Sequence, residues 1–140
     1  MKRRGFTLIE LIVVLLIISI GVGISVIKIS LVEKIGEKNE IQGFVDDYLY
    51  LKDLSLSSGI KYTMDFKEDG YDIKGLSVKT RKLKYIKSLN VTSIEFDGNG
   101  YVNAEKNKPG HNLIFVSKRD PNTKWYFTIE AVGGYLSEKY

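Results

Sequence analysis

Apolar side chains change their spacing twice along this chain of 140 residues. From Leu11 to Ile27 they run without a charge or a proline. With Phe6 to Glu10 added, the segment rises roughly 33 Å as a helix at about 1.5 Å per residue, which matches the about 30 Å hydrocarbon core of a bilayer. Beyond Lys28, the residues Leu31, Ile35, Ile41, Phe44, Val45, Tyr48, Leu51 and Leu54 recur mostly every third or fourth position among charged ones, the period of an amphipathic helix. The spacing predicts that the helix continues without a stop to about Ser58, about 53 residues and about 80 Å from Phe6. After Ser57-Ser58-Gly59 the period falls to two, with Ile60, Tyr62, Met64 and Phe66 alternating with polar residues as in a half-buried strand.

The remaining elements follow from turn chemistry. Lys67-Glu68-Asp69-Gly70 predicts a turn, with Tyr71 to Lys74 returning as the second strand of a hairpin. Further strands are expected over Lys82 to Leu89 and over Ser93 to Phe96, the latter closed by Asp97-Gly98-Asn99-Gly100. The end of the chain reads as an antiparallel meander: Leu113 to Ser117, a turn through Arg119-Asp120-Pro121-Asn122, Trp125 to Ala131, a Gly133-Gly134 break, and Tyr135 to Ser137. One long helix followed by hairpin-linked strands predicts an α+β fold, with a C-terminal antiparallel sheet packed on the amphipathic half of the helix. The expected divisions are a membrane helix over 6–27, an amphipathic continuation over 28–58 and an exported β domain over 59–140.

Glu10 is the anomaly of the apolar segment. An unpaired carboxylate in hydrocarbon costs about 3 kcal/mol and calls for a partner. A cut after Gly5 would supply one, because the new amine on Phe6 would lie four residues before Glu10, on the same helix face, and the acid would sit in the first turn, where the helix dipole favours it. Two plainer readings stand beside this. Gly21-Val22-Gly23 offers a small-x-small site for ordinary secretory cleavage, and in an uncleaved signal anchor Glu10 would snorkel toward the interface. In each case Lys2, Arg3 and Arg4 hold the leading end in the cytoplasm and place the chain beyond Lys28 outside the cytoplasmic membrane.

Gly5-Phe6-Thr7-Leu8-Ile9-Glu10 resembles the class III signal of type IV pilins and type II secretion pseudopilins. The resemblance implies that prepilin peptidase cuts between Gly5 and Phe6, removing residues 1–5, and methylates the Phe6 amine. It implies that Glu10 pairs with a neighbouring subunit's amine during assembly, that the other partners are pilins or pseudopilins and the membrane, and that the mature chain ends in a cell-envelope or extracellular filament. The chain lacks the helix-kinking proline that major pilins often carry near the position of Ile27. Its strand order, with Ser93 to Gly100 and a closing aromatic strand after Gly133-Gly134, resembles H-type minor pseudopilins and their Gram-positive competence counterparts, which stand at or near the filament tip and start assembly.

Composition adds limits. The net charge of +4 belongs mostly to the leader: without Lys2, Arg3 and Arg4, 18 basic residues face 17 acidic ones. Any polyanion binding must come from a local cluster. There is no cysteine, so the exported domain relies on core packing rather than disulfides.

Candidate chemistry is sparse. His111 sits in loop composition with no nucleophile partner in its spacing, so neither an enzyme nor a transition-metal or cofactor site is expected. Asp65, Glu68, Asp69 and Asp72 cluster at one turn without the spacing of a calcium loop. The basic stretch Lys79, Arg81, Lys82, Lys84 and Lys87 reads first as a lysine-blunted sheet edge. In the alternative reading Arg81, Lys82, Lys84 and Lys87 contact DNA; the second function the sequence allows is a membrane-tethered exported module that binds DNA or a secreted ligand without joining any filament.

Overall fold

The computed structural model describes residues 7–99, 101–103, 112–130 and 133–139, with the side chains of residues 23–29 and 103 outside the description. The chain forms two compact units, Met1–Gly36 and Glu37–Tyr140. One helix, α1 (Leu8–Ser58), contributes to both.

The helix stops where the turn signal predicts. Gly59 takes a φ of +66°, a left-handed conformation that costs glycine nothing. Its N–H closes onto the Ser55 carbonyl at 2.9 Å, and Ser58 Oγ satisfies the Leu54 carbonyl at 2.6 Å, so two of the orphan acceptors at the helix end are used.

Within the second unit the strands are β1 (Tyr62–Lys67), β2 (Gly70–Lys74), β3 (Lys79–Lys82), β4 (Ile86–Ser88), β5 (Ser93–Phe96), β6 (Val102–Asn103), β7 (Asn112–Ser117), β8 (Lys124–Ile129) and β9 (Leu136–Lys139). They form two antiparallel sheets rather than the single one expected, ordered β3-β2-β1-β5-β6 and β4-β7-β8-β9. The predicted hairpin is present as β1 and β2, in the register Phe66 opposite Tyr71. The strand expected over 82–89 is two strands in different sheets. Its break has a specific cause: the Glu40 carboxylate on α1 accepts the backbone N–H groups of Lys84, Tyr85 and Ile86 at 2.6, 2.9 and 3.1 Å. Amides held by a side chain cannot also extend a ladder, so the chain leaves one sheet here and enters the other.

Helix positions Ile41, Phe44, Tyr48, Leu51 and Ser55 are buried, the one-face spacing of a helix against a core. Phe44 is fully buried and touches both sheets. Its ring lies 6.1 and 6.2 Å from Phe66 and Tyr71 of the first, and 4.6 and 5.7 Å from Phe115 and Phe127 of the second. Polar anchors flank it on the same face. Ser117 Oγ donates to Glu37 at 2.6 Å, and Tyr48 donates its hydroxyl to the Gly134 carbonyl at 2.9 Å.

Asp47 accepts Arg81 through Nε at 2.6 Å and Nη2 at 3.1 Å, together with the Tyr71 hydroxyl at 2.9 Å. Burial, with the Asp47 carboxylate, pushes the Tyr71 phenol well above its ordinary value, so Tyr71 stays a neutral donor. Gly43 makes room for this clamp, since a β-carbon there would lie 2.5 Å from Arg81 Nη1.

Phe44→Ala removes a fully buried helix side chain that packs against both sheets. It should cost about 3–5 kcal/mol of stability, read as a lowered urea midpoint from the fluorescence of the sole tryptophan, Trp125. A loss below about 1 kcal/mol would contradict the placement of the core.

Candidate functional site

The first unit presents its chemistry at the start of α1. Thr7 precedes the helix, and its backbone N–H and hydroxyl both donate to Glu10 Oε2, at 2.9 and 3.0 Å. The Glu10 N–H returns a long hydrogen bond to Thr7 Oγ1 at 3.4 Å. This reciprocal arrangement is a capping box. Glu10 therefore has hydrogen-bond donors on its own chain as well as the helix dipole in its favour, and it remains exposed. Among the described residues no cation lies within ion-pair distance of it. Sequence reasoning singled out Glu10 and passed over Thr7, although Thr7-Leu8-Ile9-Glu10 is itself a capping-box signature.

Gly5 and Phe6, between which the cut is expected, lie outside the described residues, as do Lys2, Arg3 and Arg4. Every described apolar side chain from Leu8 to Val22 is exposed, between 46% at Val14 and 78% at Leu8. Among the described residues no helix is long and apolar enough to cross a membrane. The run whose side chains are described ends at Val22, about 21 Å from Leu8 at the helical rise and short of the about 30 Å core. The crossing expected of residues 6–27 thus rests on the sequence.

In the second unit the basic stretch does not form one patch. Lys79, Arg81 and Lys82 lie on β3, an edge of the first sheet. Arg81 is held by Asp47, whereas Lys79 and Lys82 are exposed, as edge-blunting lysines are. Lys84 stands in the connection, its ammonium 5.0 Å from the Tyr85 ring centre. Lys87 is on β4, an edge of the second sheet. His111 lies outside the described residues.

The acidic turn is an ion-pair network. Lys74 meets Asp65 at 2.6 Å, Lys67 meets Asp72 at 2.5 Å, and Lys118 meets Asp69 at 2.7 Å. These contacts hold three carboxyls below their ordinary range. For Asp65, burial pushes the other way but is outweighed by Lys74 and Ser93. The hydrogen bond and charge of Lys118 lower Asp69, and hydrogen bonds from Lys67 and Thr80 lower Asp72. Among the described residues no group of three or more histidine or acidic side chains is arranged to hold a metal ion.

Because these folded-state values lie below the unfolded value of about 3.9, the unfolded chain binds more protons in between. The stabilisation is complete above about pH 4 and is lost as pH falls through the lower folded values. The urea midpoint should be flat from neutral pH to about 5 and fall below about 4, and Asp72→Asn should make that acid limb shallower. An acid limb unchanged by the substitution would exclude Asp72 as a contributor.

Residues 1–26 match the protein family described as the prokaryotic N-terminal methylation motif. That motif is the class III signal peptide of type IV pilins and pseudopilins, and it implies a precursor that prepilin peptidase processes and that assembles with other pilins. No curated protein and no solved structure matches the chain significantly.

Proposed function

We propose that the chain is a minor pilin or pseudopilin, a structural subunit that enters or starts a type IV pilus-like filament after cleavage between Gly5 and Phe6. The observation that carries this reading is the continuity of the methylation motif over residues 1–26 with a helix whose apolar side chains from Leu8 to Val22 are all exposed. Such a surface requires cover. In the precursor that cover is lipid, with residues 6–27 spanning the cytoplasmic membrane and the β domain outside it. In the filament it is the same segment of neighbouring subunits.

Lipid tails are as apolar as leucine, so exchanging lipid for helix yields little hydrophobic gain, and packing and polar contacts decide the association. Glu10 supplies the polar contact. Proteolysis creates an amine one residue before Thr7, and a neighbour's amine brought to Glu10 would add a charge to a carboxylate that Thr7 already holds in place. Breaking a buried pair from one side costs about 3–5 kcal/mol, so a subunit out of axial register by one contact is rejected. The absence of chemistry elsewhere in the sequence fits a structural role without cofactor or catalysis.

Glu10→Ala should leave membrane insertion and cleavage intact yet block entry into filaments. Fractionation and filament shearing read the two separately, and a variant recovered in sheared filaments at the wild-type level would refute the register role. Cysteines introduced along residues 6–27 should crosslink to other pilin-like chains. Their failure to do so in cells that assemble filaments would favour the tethered binding module.

A further inference from the structure

The face of the second sheet turned away from α1 brings together residues that are far apart in sequence. Side chains alternate across a strand, and Leu113, Phe115, Phe127 and Ile129 are buried in the core, with Ser117 donating to Glu37 of the helix. The opposite face carries Ile114, Val116, Lys124, Tyr126, Thr128, Ser137 and Lys139. Cross-strand partners share a face, so the register writes two rows. Lys87 stands opposite Val116 and Val116 opposite Lys124, and in the next row Ile114 faces Tyr126 and Tyr126 faces Lys139. A depression of about 260 Å³ opens on this face, lined by Lys87, Leu89, Val116, Lys118, Pro121 and Lys124.

The charge of these two rows is one-sided. Lys118 is already engaged by Asp69 and by the Leu83 carbonyl, both at 2.7 Å. Lys87, Lys124 and Lys139 are exposed, and none has a hydrogen-bond or ion-pair partner among the described residues. No carboxylate occurs in either row. Edge protection accounts for Lys87 on β4 and Lys139 on β9, the two outer strands. It extends to Lys124, where β8 runs past its pairing with β9, but it does not account for Tyr126, which is paired on both sides and has 43% of its surface exposed.

We infer that this face binds single-stranded nucleic acid, with one base stacked on the Tyr126 ring and the neighbouring phosphates on Lys124, Lys87 and Lys139. The spacing suits that ligand. Lys139 is one strand from Tyr126, about 5 Å, and Lys124 is two residues along the same strand, about 7 Å, so cations flank the aromatic on two sides. A positive surface with an aromatic platform is how sequence-tolerant strand binding is built. The apolar surface of Leu89 and Ile114 favours a flat base over a hydrated polyphosphate, which has nothing to place on Tyr126. Of the basic residues that the linear sequence suggests for DNA contact, only Lys87 belongs here. The inference is independent of filament entry, since the face lies wholly within the second unit.

The test is fluorescence anisotropy of a labelled single-stranded oligonucleotide of about 12 nucleotides, enough for one such site, against the full chain in mild detergent across a salt series. Three phosphate contacts predict a slope of log K on log salt of about −2. The pair Lys87→Glu and Lys124→Glu should abolish binding, while Lys87→Gln with Lys124→Gln, which adds no repulsion, should leave a weakened complex with a shallower slope. Tyr126→Ala should weaken binding about tenfold at unchanged slope, as loss of one stacked base does. Lys79→Glu on the edge of the other sheet should change it less than about twofold, since it makes none of the contacts. Trp125 fluorescence verifies the fold of every variant. Absence of binding, binding indifferent to both lysine pairs, or equal competition by polyphosphate together with an unaffected Tyr126→Ala would each overturn the inference, as would stronger capture by anionic vesicles that no oligonucleotide displaces.

Discussion

The contact of Phe44 with aromatic rings from both sheets is the constraint around which the second unit is organised. A helix can bury only one stripe, and here the stripe must serve two sheets, so its centre is a ring with neighbours on either side. The acids around it convert that packing into a unique register. Glu37 reaches Ser117 in the second sheet, Asp47 reaches Arg81 and Tyr71 in the first, and Glu40 takes the three amides of the link between them. Greasy packing alone tolerates sliding; a carboxylate matched to named donors does not, because a buried group left unpaired costs its desolvation.

Much of this was legible in the sequence, for physical reasons that differ by element. The β1–β2 hairpin could be read because its information is local: strict alternation, then a two-residue turn before Gly70. The end of α1 at Ser58 could be read for the same reason. The split between β3 and β4 could not, because its cause, Glu40, lies more than forty residues upstream and acts through backbone amides that carry no sequence signal. β6 is too short to have a period. That the strands divide into two sheets is likewise a tertiary fact, set by which strands the Phe44 stripe can reach.

The candidate sites divide in the same way. The motif around Glu10 is contiguous and matches a family description, and its capping partner Thr7 stands three residues away, within reach of a closer reading. The linear run of basic residues from Lys79 to Lys87 was misleading as a patch, since Arg81 turns to Asp47 and the rest distribute over two sheet edges. The lysines that do share an uncovered face, Lys87 and Lys124, are joined only by strand register through Val116. Local spacing could not have paired them.

The proposed function rests on a division of labour along the chain. The first unit carries an exposed apolar helix that begins with a hydrogen-bonded carboxylate and a processing motif. The second carries a self-sufficient core with no disulfide. Cleavage at the motif is the event on which the proposed assembly turns, because only it creates the amine proposed to pair with Glu10. The most direct measurement is the intact mass of the protein recovered from the cells that make it. The account predicts a chain starting at Phe6 and carrying one added methyl group; a chain that keeps Lys2, Arg3 and Arg4, or one that starts after Gly23, contradicts it.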